Sequence, residues 1–280
     1  EMSEYFRHAD PTRLVHYENI FWDRRYNGTS DMESQMYPPV ADIKKFLAEH
    51  RDKPFICCEY THAMGNSIVG MQKYTELTDE EPLYQGGFIW DFVDQAIWHK
   101  DRYGKDALAY GGDFGDRPND GNFSGDGILF ADRSLTTKMQ EVKFNYQNFT
   151  LAVEADKVTI HNKSLFTNVS EYELYLTVQL DGEKIWEDHR YAPDIKPGES
   201  GEVALEDLPI TGAGEETVTA SLRLKEDTLW AKQGFEVAFG QGTWQVDEVE
   251  VPEPQAIVEA AELRNDTREF HYTPNMPLET

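Results

Sequence analysis

The sequence predicts half of a parallel β/α barrel over residues 1–147, followed by an antiparallel β-sandwich over residues 148–245. Three observations predict it. The first 147 residues alternate short, continuous apolar runs with amphipathic segments, as buried parallel strands and their covering helices do. Near residue 148 the texture changes to strict apolar–polar alternation with turn residues between segments. A full eight-stranded barrel needs about 250 residues, so 147 residues supply about four of its units.

In chain order, Glu1 to Ala9 reads as the end of a helix, stopped by Asp10-Pro11. Leu14 to Glu18 reads as a strand. Pro39 to His50 makes a helix with Ile43, Phe46 and Leu47 on one face. Pro54-Phe55-Ile56-Cys57-Cys58-Glu59-Tyr60 is a buried strand that ends in a carboxylate. A helix follows around Val69 to Leu77, then a second apolar run from Gly87 to Phe92. A last short run, Gly127 to Phe130, precedes a helix around Thr137 to Tyr146.

The sandwich segments are Phe149 to Val153, Lys157 to Ile160, Tyr172 to Leu180 and Thr217 to Leu224. Asp181-Gly182-Glu183 reads as a hairpin turn and Pro197-Gly198-Glu199 as another. Roughly a hundred residues in this texture suggest an immunoglobulin-like sandwich. Residues 246–280 turn acidic and Pro-punctuated, which reads as a linker or the start of a further domain.

Composition narrows the function classes. The net charge is −26, with −9 over residues 1–150 and −17 over 151–280. Such a surface repels nucleic acid and anionic membranes. No apolar run approaches the roughly 20 residues that span a bilayer. The two cysteines, Cys57 and Cys58, are adjacent on a strand and point to opposite faces, which suits a reducing compartment and a cytoplasmic location. No Cys/His metal spacing occurs. The chain opens mid-helix, so further residues are expected upstream.

In a parallel barrel, catalytic groups sit where strands end at the C-terminal face. Glu59 holds such a position, and a carboxylate there is either ion-paired or working. His62 follows in Tyr60-Thr61-His62-Ala63-Met64-Gly65-Asn66, as a ligand-binding or a hydrogen-bonded structural residue. Trp90-Asp91 ends the next strand in the same way, as an aromatic platform with an acid for sugar hydroxyls, or as core packing. The loop Tyr110 to Asp120 carries three aspartates among glycines. It fails the G-x-G-x-x-G pattern, and its charge repels phosphate, which argues against nucleotide binding. A hard cation, sugar hydroxyls or plain solvation remain open for it.

Residues 58–66, 85–95 (Gln85-Gly86-Gly87-Phe88-Ile89-Trp90-Asp91-Phe92-Val93-Asp94-Gln95), 110–116 and 130–133, in this order and spacing, closely resemble the long bacterial β-galactosidases of glycoside hydrolase family 2. The resemblance is specific over residues 10–147 and weaker but collinear over the sandwich. It implies strands five to eight of a TIM (β/α)8 barrel and a retaining hydrolase of terminal β-D-galactosides. It makes Glu59 the nucleophile, Tyr37 a tyrosine that assists release of the sugar, and His62 a residue that stabilises the transition state. Trp90 becomes the floor of the galactose site, with Asp91 supporting it. Phe123 and Asp126, in Asn122-Phe123-Ser124-Gly125-Asp126-Gly127, match a Na+ site by a carbonyl and a side-chain oxygen; Asp126 also faces the sugar. The best-known members carry Asn where Asp126 stands.

The resemblance also implies what is missing. A retaining glycosidase needs two carboxyl groups about 5–5.5 Å apart. The family's acid/base is the Glu of an Asn-Glu pair upstream of residue 1, and this chain has no Asn-Glu pair. The Mg2+ ligands also lie upstream, outside this chain. The chain alone is therefore expected to be inactive, with the N-terminal half as its partner and a homo-oligomer as the full-length state. Rival readings are a β-glucuronidase or β-mannosidase relative, and a non-catalytic subunit that binds galactosides or completes a partner's barrel. The acidic loops disfavour a glucuronidase, whose substrate carboxylate needs basic groups.

Overall fold

The computed structural model describes residues 1–247 apart from Asn19, Asp207, Ile210 and Thr211. The acidic segment expected over residues 246–280 lies outside the described residues beyond Asp247. The chain divides into two units, Glu1–Asn148 and a second that begins at Phe149.

The first unit is mixed α/β. Helix α1 (Met2–Ala9) is followed by strand β1 (Glu33–Met36), helix α2 (Val40–Glu49), strand β2 (Phe55–Tyr60), helix α3 (Gln72–Glu80) and strand β3 (Tyr84–Ile89). The three strands form one parallel sheet in the order β1-β2-β3. Helices α2 and α3 are the crossovers between neighbouring strands, as parallel pairing requires. On α2, Ile43 and Leu47 are buried. They pack in one core with Phe55, Cys57, Tyr60, Met71, Leu77 and Tyr84. Full burial of a side chain such as Leu47 contributes about 1.5–3 kcal/mol.

Several expectations are corrected here. Leu14 to Glu18 forms no strand, because Asp31 captures it: the amide of Val15 donates to the Asp31 carboxylate (2.7 Å) and its carbonyl accepts from the Asp31 amide (2.8 Å). β1 was not expected, since its residues are polar. Its buried Glu33 is held by Arg24 at 2.6 Å. The helix expected from Val69 begins at Gln72. The run from Gly87 to Phe92 is a strand from Tyr84 to Ile89, so Trp90 and Asp91 lie just past its end, joined by a cis peptide. Gly127 to Phe130 reduces to isolated bridges from Leu129, one to Val93 and one to Leu135. An antiparallel hairpin, β4 (Ile97–Lys100) and β5 (Asp106–Ala109), was also unexpected. Helix α4 (Lys138–Asn145) follows within one residue of expectation.

The second unit is all-β among the described residues apart from one short 3-10 turn. Its strands are β6 (Phe149–Val153), β7 (Lys157–Asn162), β8 (Tyr172–Leu180), β9 (Glu183–Tyr191), β10 (Ser200–Ala204), β11 (Gly214–Leu224) and β12 (Glu236–Val246). They form two antiparallel sheets, β10-β7-β6 and β12-β11-β8-β9. Every second residue of β8 (Leu174, Leu176, Val178) is fully buried, against Val158, Ile160, Val218 and Leu222. The β8–β9 turn has positive φ at Asp181 (49°) and Gly182 (83°), the two central residues of a hairpin loop of the I′ kind. The sheets meet closely at β12. A Cβ on Gly240 would lie 1.9 Å from the carbonyl oxygen of Leu151.

Candidate active site

The site is built from the ends of β1, β2 and β3 and the loops that follow them. At the end of β2, the carboxylate of Glu59 accepts a 2.7 Å hydrogen bond from the hydroxyl of Tyr37. The Tyr37 amide also donates to the Glu59 carbonyl at 2.8 Å. Tyr37, the residue after β1, reaches both by adopting a left-handed backbone (φ 49°), uncommon for a bulky residue and typical of functional sites. Burial pushes the Tyr37 phenol well above the ordinary tyrosine range, and the hydrogen bond and charge of Glu59 add to this, with a smaller push from Asp126. Tyr37 is therefore the donor of the pair, and Glu59 the acceptor.

His62 stands beside this pair. Its ring centroid is 6.0 Å from that of Tyr37 and 5.6 Å from that of Phe123. Its Nδ1 accepts from the Met64 amide at 3.3 Å, which leaves Nε2 to carry the proton of the neutral ring.

Trp90 is fixed at both ends. Its backbone carbonyl accepts from the Ala63 amide (2.6 Å), and its indole N–H donates to Asp126 at 2.9 Å. Asp126 is 2% exposed, and its other carboxylate oxygen is buried with no hydrogen-bond partner. The carbonyl of Asp126 accepts from the Asp91 amide at 2.7 Å. The Asp91 carboxylate is turned into its own loop, where it accepts from the Phe92 amide (2.5 Å) and the Gln95 side chain (3.0 Å). Phe123 is exposed, on a 3-10 turn over Gly121–Ser124. Tyr37, Glu59 and His62 are thus brought together, with Phe123 against His62, and Trp90 is paired with Asp126.

This geometry can be set beside known proteins. The model of glycosyl hydrolases family 2, TIM barrel domain, matches residues 1–151, more than half of the chain. The chain belongs to glycosyl hydrolase family 2. The model of beta-galactosidase, domain 4, matches residues 158–245. Beta-galactosidase of Halalkalibacterium halodurans is 47% identical over 89% of this chain and 25% of its own length. That of Clostridium acetobutylicum is 48% identical over 86% of the chain and 27% of its own. A beta-galactosidase large subunit of Latilactobacillus sakei is 53% identical over 52% of the chain and 24% of its own length. The chain spans about a quarter of the length of the curated relatives it matches.

Within this family 2 chain, two further features were not read from the sequence. Gly127 is pressed against the loop after Trp90. A Cβ there would fall 2.1 Å from the Asp94 amide nitrogen, and the Gly127 amide donates to the Asp94 carboxylate at 2.8 Å. The Gly125-Asp126-Gly127 triplet was the available signal. The acidic loop folds on itself: Asp113 accepts from the Tyr110 amide (3.0 Å) and Asp116 from the Gly112 amide (2.9 Å). Among the described residues, no cluster of three or more His, Cys, Asp or Glu could hold a metal ion. No described helix is long and apolar enough to cross a membrane.

Proposed function

We propose that this chain is part of a retaining β-galactosidase and supplies its nucleophile, Glu59. The observation that carries the reading is the Tyr37–Glu59 pair at adjoining strand ends (2.7 Å), beside His62 and an indole held by a buried carboxylate. On this reading the first unit belongs to the strand five to eight half of the barrel, and the second is an immunoglobulin-like sandwich. The three- and four-stranded antiparallel sheets support the latter.

The chemistry follows from the pair. Glu59 attacks the anomeric carbon of a terminal β-D-galactoside while the aglycone departs with a proton from an acid outside this chain. The galactosyl ester so formed is then opened by water, and the Glu59 carboxylate is the leaving group. Tyr37, whose proton is held firmly, donates to that carboxylate as its charge returns. Trp90 offers its face to the sugar ring, His62 its Nε2–H to a hydroxyl, and Asp91 keeps the loop after Trp90 in shape.

The orphaned, buried oxygen of Asp126 fits a hard monovalent cation or a sugar hydroxyl. Asp126 and the Phe123 carbonyl would hold Na+, which would fix a sugar oxygen. Mg2+ ligands lie outside this chain, as does the rest of the enzyme, a homo-oligomer. The acidic surface argues against nucleic acid and anionic membrane partners, and the adjacent free cysteines suit the cytoplasm.

The test is hydrolysis of a nitrophenyl galactoside by the chain with and without the missing N-terminal part. Turnover is expected only on mixing, and only with Glu59 intact. Turnover by the chain alone that is lost in Glu59→Gln would sink the claim that the acid lies elsewhere. Galactose binding without turnover in an associated mixture would favour a binding subunit.

A further inference from the structure

We infer that Gly87 is a positioning residue for Glu59, because its missing side chain leaves room for a one-residue bulge in β2 that turns the carboxylate out of the core towards Tyr37. The catalytic consequence rests on the reading of Glu59 as nucleophile; the geometry does not.

The bulge is visible from both edges of β2. Against β1, Gln35 pairs with Cys57 but Met36 pairs with Glu59, so one residue of β1 is matched by two of β2. Against β3 the register shifts twice: Phe55 to Cys57 spans Tyr84 to Gly87, two steps of β2 against three of β3, and Cys57 to Tyr60 then spans Gly87 to Ile89, three steps of β2 against two. Burial slips at the same place. The core-facing residues of β2 are Phe55, Cys57 and Tyr60. Regular alternation would put Glu59, not Tyr60, third in that series and bury its carboxylate among Tyr84, Met71 and Leu77. One extra residue at Cys58–Glu59 reverses the faces, which is how bulges re-aim side chains beside active sites.

Gly87 is what the bulge presses on. A Cβ built there would lie 2.8 Å from the Cys57 Cβ, 3.1 Å from the Cys57 carbonyl oxygen and 3.1 Å from the Tyr60 ring. Those are the two core residues that flank the bulge. The backbone at Gly87 is not left-handed, so space is what the glycine provides rather than conformational freedom. Neither flanking residue can step aside. Cys57 is fully buried, with its sulfur 3.5 Å from the Tyr84 hydroxyl, and Tyr60 is bonded to the Tyr146 hydroxyl and packed edge-on to Tyr74. A methyl at 87 must therefore displace β2 at its bulge, and Glu59 moves with it.

The test reads the Glu59–Tyr37 contact directly. The full chain is made with 3,5-difluorotyrosine at position 37, whose ionisation falls in a range the protein tolerates and is followed by 19F NMR. In the parent chain it is expected to ionise above free difluorotyrosine, and Glu59→Gln to lower it. Gly87→Ala is expected to lower it likewise while unfolding stays cooperative, and Gly28→Ala, which meets nothing within 4 Å, leaves it unchanged. In the whole enzyme, Gly87→Ala should cut kcat about 100-fold at unchanged KM, the cost of a displacement of roughly 1 Å.

A folded Gly87→Ala chain with the parent's ionisation overturns the inference, as does a parent indistinguishable from Glu59→Gln. If Gly87→Ala does not fold, Gly87→Ala/Cys57→Gly removes the nearest clashing atom. Recovery of the fold and of the raised ionisation supports the inference, and failure of either overturns it. Turnover that survives Glu59→Gln would instead count against the nucleophile, without touching the ionisation result.

Discussion

Trp90→Phe removes the donor that Asp126 faces and keeps an aromatic ring at the position. Asp126 is 2% exposed, one of its oxygens already lacks a partner, and the other accepts only the indole N–H, at 2.9 Å, among its described side-chain contacts. Without the indole donor, both oxygens of a buried carboxylate are stranded. Hydrogen bonds to charged groups contribute about 1.5–3 kcal/mol, and an orphaned buried charge costs more than a lost neutral bond. We therefore expect Trp90→Phe to destabilise the first unit by about 2–3 kcal/mol. Trp90→Phe/Asp126→Ala should be more stable than the single variant, because the stranded carboxylate is gone. The coupling from the double-mutant cycle is expected at about 1.5–3 kcal/mol. The assay is urea unfolding followed by the helical circular dichroism signal, since the α-helices described all lie in the first unit. A coupling below about 0.5 kcal/mol, the scatter of additive sites, would mean that Asp126 does not depend on the indole donor.

Three further outcomes follow from packing and ionisation. Gly240→Ala, whose Cβ would sit 1.9 Å from the Leu151 carbonyl oxygen, should cost the second unit about 3 kcal/mol in thermal unfolding; a neutral result would mean the sheets separate freely. Leu176→Ala, at a fully buried position, should cost about 2–5 kcal/mol in the same measurement. Burial raises the Cys57 thiol from an ordinary 9.0 to about 11. The folded form therefore holds its proton longer than the unfolded one, so this contribution is complete below about pH 9 and lost as pH rises through about 11. It is about 2–3 kcal/mol at most. Unfolding of the first unit across that window, compared with Cys57→Ala, checks the sign.

Much of this was legible in the sequence for stated reasons. An apolar run that ends in a carboxylate pointed to Glu59, and a second run that ends in Trp90-Asp91 pointed to the neighbouring strand end. Strict alternation found β8 and β11, and Asp181-Gly182 found the turn between β8 and β9. β1 was missed because its stability comes from partners, Arg24 for Glu33 and β2 for its backbone, rather than from apolar residues. Leu14 to Glu18 looked like a strand, but Asp31 satisfies its backbone instead. The β4–β5 hairpin has no buried residue on β4, so it carried no periodic signal. The bulge at Cys58–Glu59 could not be read at all. It depends on the registers of two neighbouring strands and on an empty space at Gly87.

On the proposed chemistry, Glu59 is the residue that becomes covalently attached to the sugar. The most direct measurement is peptide mass spectrometry after the chain, mixed with the missing N-terminal part, is treated with an activated 2-deoxy-2-fluorogalactoside. Such a sugar forms the ester but releases it slowly. One added fluorogalactosyl group is expected on Glu59, absent in Glu59→Gln. Labelling of any other residue in a mixture that turns over galactosides would contradict it.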